Sequence, residues 1–156
     1  MRKQQSELGL SFLCHIPLAR EGGNVIQTPE DAVREMEELR EASQEVFMVL
    51  CLNTRNRVLD KKILGIGITD SCLVHAREVF RPAILSQSAA VVLGHNHPSG
   101  DSSPSAEDLR LTRQLVQAGQ VIGIKVLDHV IIGRLGPHNA RAFLSLREGG
   151  AVDFNA

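Results

Sequence analysis

A short apolar segment that leads into two histidines constrains the fold of this chain more than any other feature. Residues 89–93 are small or branched and apolar, and His95 and His97 follow them two positions apart. Residues two apart point to the same side of an extended chain, whereas on a helix they point about 200° apart. We therefore predict a buried strand over residues 89–93 whose end directs two imidazole rings towards one point.

The residues after the histidines bring a carboxylate back to that point. Residues 98–101 supply turn chemistry, and Pro104 precedes a helix that we expect to run to about residue 118. Asp108 then falls in the first helical turn. Because a catalytic zinc typically takes three protein ligands and a water, we predict one Zn²⁺ per chain, although other divalent metals tolerate the same ligands. The predicted ligands are His95, His97 and Asp108.

The same spacing also has a purely structural explanation. Ser105 and Asp108 are three residues apart, as in a capping box, and the helix dipole favours an aspartate in the first turn. That explanation leaves the two histidines on one side of a strand end unaccounted for. Ser105 fits both the structural and the metal-site explanation. Its oxygen can accept a hydrogen bond from a backbone N–H while its hydroxyl donates one to a developing oxyanion.

Hydrolysis at such a metal also needs a group that carries a proton. Glu45 is the first candidate, because it stands at the mouth of a predicted strand where a rigid element can hold a partly dried carboxylate. The alternative is that it merely ends the preceding charged helix. Glu78 and Glu107 compete, but Glu78 suits the first turn of a helix and Glu107 should point about 100° away from Asp108.

The rest of the chain alternates between helical and extended patterns, which is typical of α/β layers, and a hairpin makes the sheet mixed. We predict a single α/β domain over residues 28–156, with a mixed central β-sheet flanked by helices. Residues 1–27 form an extension that is either an edge strand or a partner-binding arm. Besides the segments above, we predict helices at 28–42, 76–87 and 141–148, and strands at 46–52, 58–67 and 124–132.

Composition argues against several classes of protein. Seventeen basic against eighteen acidic residues, with no Trp or Tyr, give neither the charge nor the stacking rings of a nucleic-acid platform. Three cysteines without a CxxC motif fit a reducing compartment, and no apolar stretch reaches the length of a membrane span. We predict a cytoplasmic protein. A local basic cluster of Arg55, Arg57, Lys61 and Lys62 is predicted to be a solvated hairpin.

The string His95-x-His97, seven residues, Ser105-x-x-Asp108 resembles the motif of the JAMM (MPN+) metalloproteases. Together with residues 77–80 and 128–133, it resembles the RadC-like JAB branch of that family over residues 28–148. The resemblance implies a JAB/MPN, cytidine-deaminase-like fold and zinc-dependent hydrolysis of amide bonds in a protein or peptide. It implies that His95, His97 and Asp108 bind zinc, that Ser105 stabilises the oxyanion and that Glu45 is the general base.

Two other functions stay open on the sequence alone. A non-enzymatic, metal-containing binding module for DNA or protein partners would suit the same fold, although structural zinc sites are usually closed. A nuclease-like phosphodiesterase is disfavoured by the single metal site and the neutral charge. Apolar residues at 8–16 suggest a homodimer contact. Asp128 and His129 interrupt an apolar strand, and we expect them either to have a structural role or to support the metal ligands, without binding metal themselves.

Overall fold

Five strands form one mixed sheet with helices on both faces in the computed structural model, which describes residues 23–67, 74–137 and 140–155. The spatial order is β2-β1-β3-β4-β5, with β3 and β4 parallel and the other neighbours antiparallel. This confirms the predicted α/β class. The strands are β1 (Val46–Leu52), β2 (Val58–Ile66), β3 (Ala90–Asn96), β4 (Lys125–Ile132) and β5 (Phe143–Ser145). The α-helices are α1 (Pro29–Glu35), α2 (Ala76–Leu85) and α3 (Ala106–Ile122), with a 3-10 helix at Glu37–Glu41.

Alternate residues of β1 supply the cores on the two sides of the sheet. Phe47 and Val49 pack with residues of α2 and α3, whereas Met48 and Leu50 pack with α1 and the 3-10 helix. Every residue of β1 and β3 is buried, because helices cover both faces of these strands. The α2–α3 face is the one that carries the predicted site, since His95 lies on it.

Strands β1 to β4 and the three α-helices occur where the sequence predicts them, but three boundaries differ. Strand β3 continues to Asn96, so His95 lies inside the strand and not after it. The helix predicted over residues 28–42 ends as an α-helix at Glu35 and gives way to the 3-10 helix. Helix α3 runs four residues beyond the predicted end, to Ile122, and stops at Gly123, whose positive φ of 80° closes it.

The predicted terminal helix at residues 141–148 is wrong. Residues 143–145 instead form β5, which pairs antiparallel with Val130, Ile131 and Ile132. The physical reason is that β4 lies next to β3 on one side and would leave its backbone N–H and C=O groups unpaired on the other. A local helical pattern of a few residues cannot compete with that demand.

The start of the chain can be followed only from Gly23. An isolated bridge joins Val25 to Arg57, the residue before β2. The predicted arm at residues 8–16 lies outside the described residues, and the division at residue 27 stays a prediction. Within the described ranges, no helix has the length and apolarity to cross a membrane.

Acidic neighbours partly neutralise the positive charge of the basic cluster on the β1–β2 hairpin. Lys61 Nζ lies 2.7 Å from Glu38 Oε1 and also donates to the Glu35 carbonyl. Lys62 faces Asp60 at 3.8 Å. These contacts support the solvated-hairpin interpretation of the cluster.

Gly133 lies where the chain leaves β4 and packs against the loop that follows His97. An added Cβ would lie 2.3 Å from the Gly100 oxygen and 3.0 Å from the Ser102 nitrogen, both backbone atoms. We therefore expect Gly133→Ala to lower the free energy of unfolding by about 1–3 kcal/mol, measured by urea denaturation. Gly136→Ala is the control, because its Cβ would meet nothing within 4 Å. Equal stability of the two variants would contradict the prediction.

Candidate metal centre

The three predicted ligands meet where β3 ends and α3 begins. His95 Nε2 lies 3.0 Å from His97 Nε2 and 3.4 Å from Asp108 Oδ1. His97 Nε2 lies 3.5 Å from Asp108 Oδ2. His95 and Asp108 are buried, whereas the His97 side chain remains 18% exposed, so the group opens to solvent on the His97 side.

Glu45 reaches the same group through the pairing of β1 with β3. These strands are antiparallel, with Phe47 opposite His95, and Glu45 and His97 lie two residues further along that register. One ligand atom from each of Glu45, His95, His97 and Asp108 lies within 4.8 Å of the other three. The structure thus gathers Glu45 with residues fifty or more positions later in the chain.

The donor atoms fit a tetrahedral zinc. Ligand atoms bonded to such an ion at their usual lengths lie about 3.3 Å apart. The two imidazole nitrogens lie 3.0 Å apart, and the Asp108 carboxylate comes within 3.4 Å of His95 through Oδ1 and within 3.5 Å of His97 through Oδ2. His97 Nδ1 lies 2.7 Å from the Asp101 carbonyl oxygen, an acceptor, so Nδ1 carries the proton and Nε2 is the nitrogen available to a metal. His95, His97 and Asp108 would therefore hold the ion.

Burial and neighbouring charges shift the pKa values of the three proposed ligands. Burial lowers the pKa of His95 to about 4, so this ring is neutral at physiological pH. The pKa of His97 is raised, chiefly by its hydrogen bond to Asp108. Burial alone would raise the pKa of Asp108, but the hydrogen bond from His97, the His95 ring and Ser105 hold it well below its usual value. An ionised carboxylate beside imidazole nitrogens is an environment that favours a cation.

Glu45 is a half-buried carboxylate beside this charge. Desolvation raises its pKa, partly offset by attraction to His97 and reinforced by repulsion from Asp108. A carboxylate with a raised pKa is closer to the operating pH and is a better proton carrier than an exposed one.

Ser105 is the N-cap of α3, as the capping-box alternative predicts. Its Oγ accepts a hydrogen bond from the Asp108 N–H at 3.1 Å and donates one to Asp108 Oδ2 at 2.7 Å. Its own N–H donates to the same carboxylate oxygen at 2.8 Å. The hydroxyl hydrogen therefore points at Asp108 in this structure. The role of Ser105 as a hydrogen-bond donor to an oxyanion stays a prediction.

The two other glutamates considered as the general base have structural roles. Glu78 accepts a hydrogen bond from the His75 N–H and caps α2. Glu107 pairs with Arg110 on the exposed side of α3. Asp101 contributes its backbone carbonyl to His97, while its carboxylate accepts from the Ser103 N–H within the loop.

Asn96, between the two histidines, is a site residue to which sequence reasoning gave no role. Its side chain points to the opposite face of the sheet, where Oδ1 accepts from the Val46 N–H at 2.7 Å. Its amide nitrogen donates to the Ala42 and Gln44 carbonyls. Asn96 thus fixes the chain on both sides of Glu45. The available signal was a polar residue on the buried face of a strand, which must find partners.

His129 lies behind His95 in the core. Its Nε2 is 2.8 Å from His95 Nδ1, and its Nδ1 is 2.7 Å from Thr112 Oγ1. Its neighbour Asp128 instead accepts hydrogen bonds from Ser145 Oγ and the Arg147 N–H, and so anchors the turn after β5. The two members of the Asp-His pair therefore support different parts of the structure.

The fold and the site define an α/β protein with a candidate metal centre at a strand end. The RadC-like JAB domain model matches residues 26–151. This chain belongs to that family, as its sequence motif indicates.

Curated relatives carry the name UPF0758 protein, which states no activity. The relative from Halalkalibacterium halodurans is 49% identical over 132 residues, which are 84% of this chain and 54% of that protein. The relative from Caldanaerobacter subterraneus is 45% identical over 154 residues, which are 97% of this chain and 62% of that protein. The chain thus spans a little over half the length of these relatives.

Proposed function

We propose that this chain is a zinc-dependent hydrolase of peptide or isopeptide bonds in a protein or peptide substrate. The observation that carries the proposal is the close approach of two imidazole nitrogens and one carboxylate, at separations that suit the ligands of one metal ion, with a second carboxylate beside them. Membership in the RadC-like JAB family supports it. The sequence-based expectation of a reducing, cytoplasmic location is part of the same proposal.

The residues divide the work of amide hydrolysis among them. When bound by His95, His97 and Asp108, zinc would act as a Lewis acid on the substrate carbonyl and would lower the pKa of water. Glu45 accepts the proton of the attacking water and passes it to the leaving amine, which otherwise departs as a poor leaving group. Ser105 donates its hydroxyl hydrogen to the oxygen on which negative charge develops.

Ser105→Ala tests the two roles of the serine. As an N-cap, the side chain contributes about 1 kcal/mol of stability. As an oxyanion donor, it contributes about 10²–10³-fold in kcat. We expect Ser105→Ala to show both losses, measured by urea denaturation and by peptide hydrolysis at saturating zinc.

Thr28→Ala is the matched control for Ser105→Ala. Thr28 caps α1 with the same reciprocal capping box, through Asp31, and lies outside the metal group. It should lose similar stability and keep full activity. If Ser105→Ala and Thr28→Ala have the same kcat, Ser105 is a cap without a catalytic role.

The proposed function is tested by profiling the zinc-loaded protein against a library of peptides and isopeptide-linked peptides. We expect cleavage of a subset, loss of cleavage after the metal is removed with a chelator, and recovery when zinc is added back. Absence of cleavage across both classes by protein shown to hold one zinc per chain would contradict the proposal.

A second candidate is a non-enzymatic binding module with a structural metal. One observation favours it: the Glu45 carboxylate lies close enough to the other three residues to serve as a fourth ligand, which would close the site. Zinc-edge X-ray absorption of the loaded protein distinguishes the two functions. A shell of two histidines, one carboxylate and a water fits the hydrolase, whereas a second carboxylate in place of water fits the binding module.

A further inference from the structure

A chain of hydrogen bonds runs from the buried side of His95 back to the helix that carries Asp108. His95 Nδ1 contacts His129 Nε2 at 2.8 Å, and His129 Nδ1 contacts Thr112 Oγ1 at 2.7 Å. Thr112 Oγ1 then donates to the backbone carbonyl of Asp108, four residues earlier on α3, at 2.6 Å. His129 and Thr112 are both fully buried, so their side chains make these hydrogen bonds to protein groups.

The last acceptor fixes the direction of every bond in the chain. A carbonyl oxygen only accepts, so the single hydroxyl hydrogen of Thr112 is committed to Asp108. Thr112 Oγ1 must then accept from His129, which places a proton on His129 Nδ1. With one proton per ring, His129 Nε2 is an acceptor and His95 Nδ1 is the donor.

We propose, on the basis of the metal centre described above, that Thr112 and His129 are positioning residues that set the tautomer of His95. The proton of His95 lies on Nδ1, and Nε2, the atom that faces His97 and Asp108, presents its lone pair to the metal. Because this series of hydrogen bonds ends on the backbone of Asp108, it also links the orientation of His95 to the helix turn that carries Asp108.

The packing around the two rings keeps them in place. Phe47 stacks on His95 with ring centres 5.8 Å apart and nearly parallel, and it meets the edge of His129 at 5.3 Å. Without the Thr112 hydroxyl, a proton on His129 Nδ1 would lose its buried acceptor, which is costly. The favoured arrangement then moves that proton to Nε2, which donates to His95 Nδ1. His95 would in turn carry its proton on Nε2, where it blocks the metal.

Thr112→Val and Thr112→Ser test the inference. Valine keeps the branched shape and removes the hydroxyl, whereas serine keeps the hydroxyl. We expect Thr112→Val to weaken zinc binding about 10–100-fold, measured by competition with a chromophoric chelator, and Thr112→Ser to stay near the wild-type affinity. A folded Thr112→Val protein with wild-type affinity would overturn the proposal.

Nitrogen-15 NMR of the metal-free protein reads the tautomer directly. In the wild type and in Thr112→Ser, we expect His95 to be protonated at Nδ1 and bare at Nε2; in Thr112→Val, we expect the opposite. Wild-type protein with a proton bound to His95 Nε2 would overturn the proposal even if Thr112→Val failed to fold. Failure of the wild type to bind zinc would instead contradict the proposed function, and the metal-free spectra would still decide the tautomer.

Discussion

Glu45→Gln is expected to abolish amide hydrolysis while the protein retains one zinc per chain. Glutamine has nearly the shape of glutamate, but its amide cannot take a proton from water or deliver one to a leaving amine. The loss should amount to about 10²–10⁴-fold in kcat, the usual contribution of a general base. Peptide turnover and elemental analysis on the same preparation measure the two quantities.

The physical basis is the position of Glu45 at the mouth of a rigid strand. Asn96 holds the backbone on both sides of it, and desolvation raises the pKa of its carboxyl group towards the operating range. Glu41→Gln is the matched control, because it removes a similar charge from the exposed end of the 3-10 helix.

The outcome of Glu45→Gln also separates the two candidate functions. Equal turnover by wild type and variant would remove Glu45 from the mechanism. Loss of zinc together with activity would indicate that Glu45 is a fourth ligand, as the binding-module alternative requires. Retained zinc without turnover is the result expected for a base.

His97→Ala is expected to lose stoichiometric metal. Removing this ring leaves only His95 and Asp108 of the three proposed ligands, and the hydrogen bond to Asp108 raises the pKa of His97, as expected where a carboxylate favours a positive partner. The loss of affinity should exceed the roughly 10–100-fold cost of removing an outer partner of a ligand. Elemental analysis after dialysis against trace chelator measures it.

The fold should survive the His97→Ala substitution, because His97 follows β3 and is partly exposed. Unchanged circular dichroism would establish that the metal loss is local. His75→Asn is a suitable control, since it removes an exposed imidazole at the start of α2 and leaves a residue that caps helices well. Full metal retention by His97→Ala would rule out its role as a ligand.

Local chemistry explains which elements the sequence predicted well. The helix starts at Thr28 and Ser105 are encoded by capping boxes, and the apolar run of β1 is unmistakable over seven residues. Strand β5 escaped prediction because it is only three residues long and exists to satisfy the open edge of β4. Its stability comes from a neighbour that its own sequence does not specify.

The sequence by itself indicated the three proposed ligands, because they lie within fourteen residues whose strand end, turn and helix cap each have a local sequence signal. Only the tertiary structure shows that the other groups of the site lie beside these ligands. Glu45 depends on the antiparallel register of β1 and β3, and the support of His95 by His129 depends on β3 lying beside β4 under α3. Strand pairing and packing are non-local, so no local pattern in the chain encodes them.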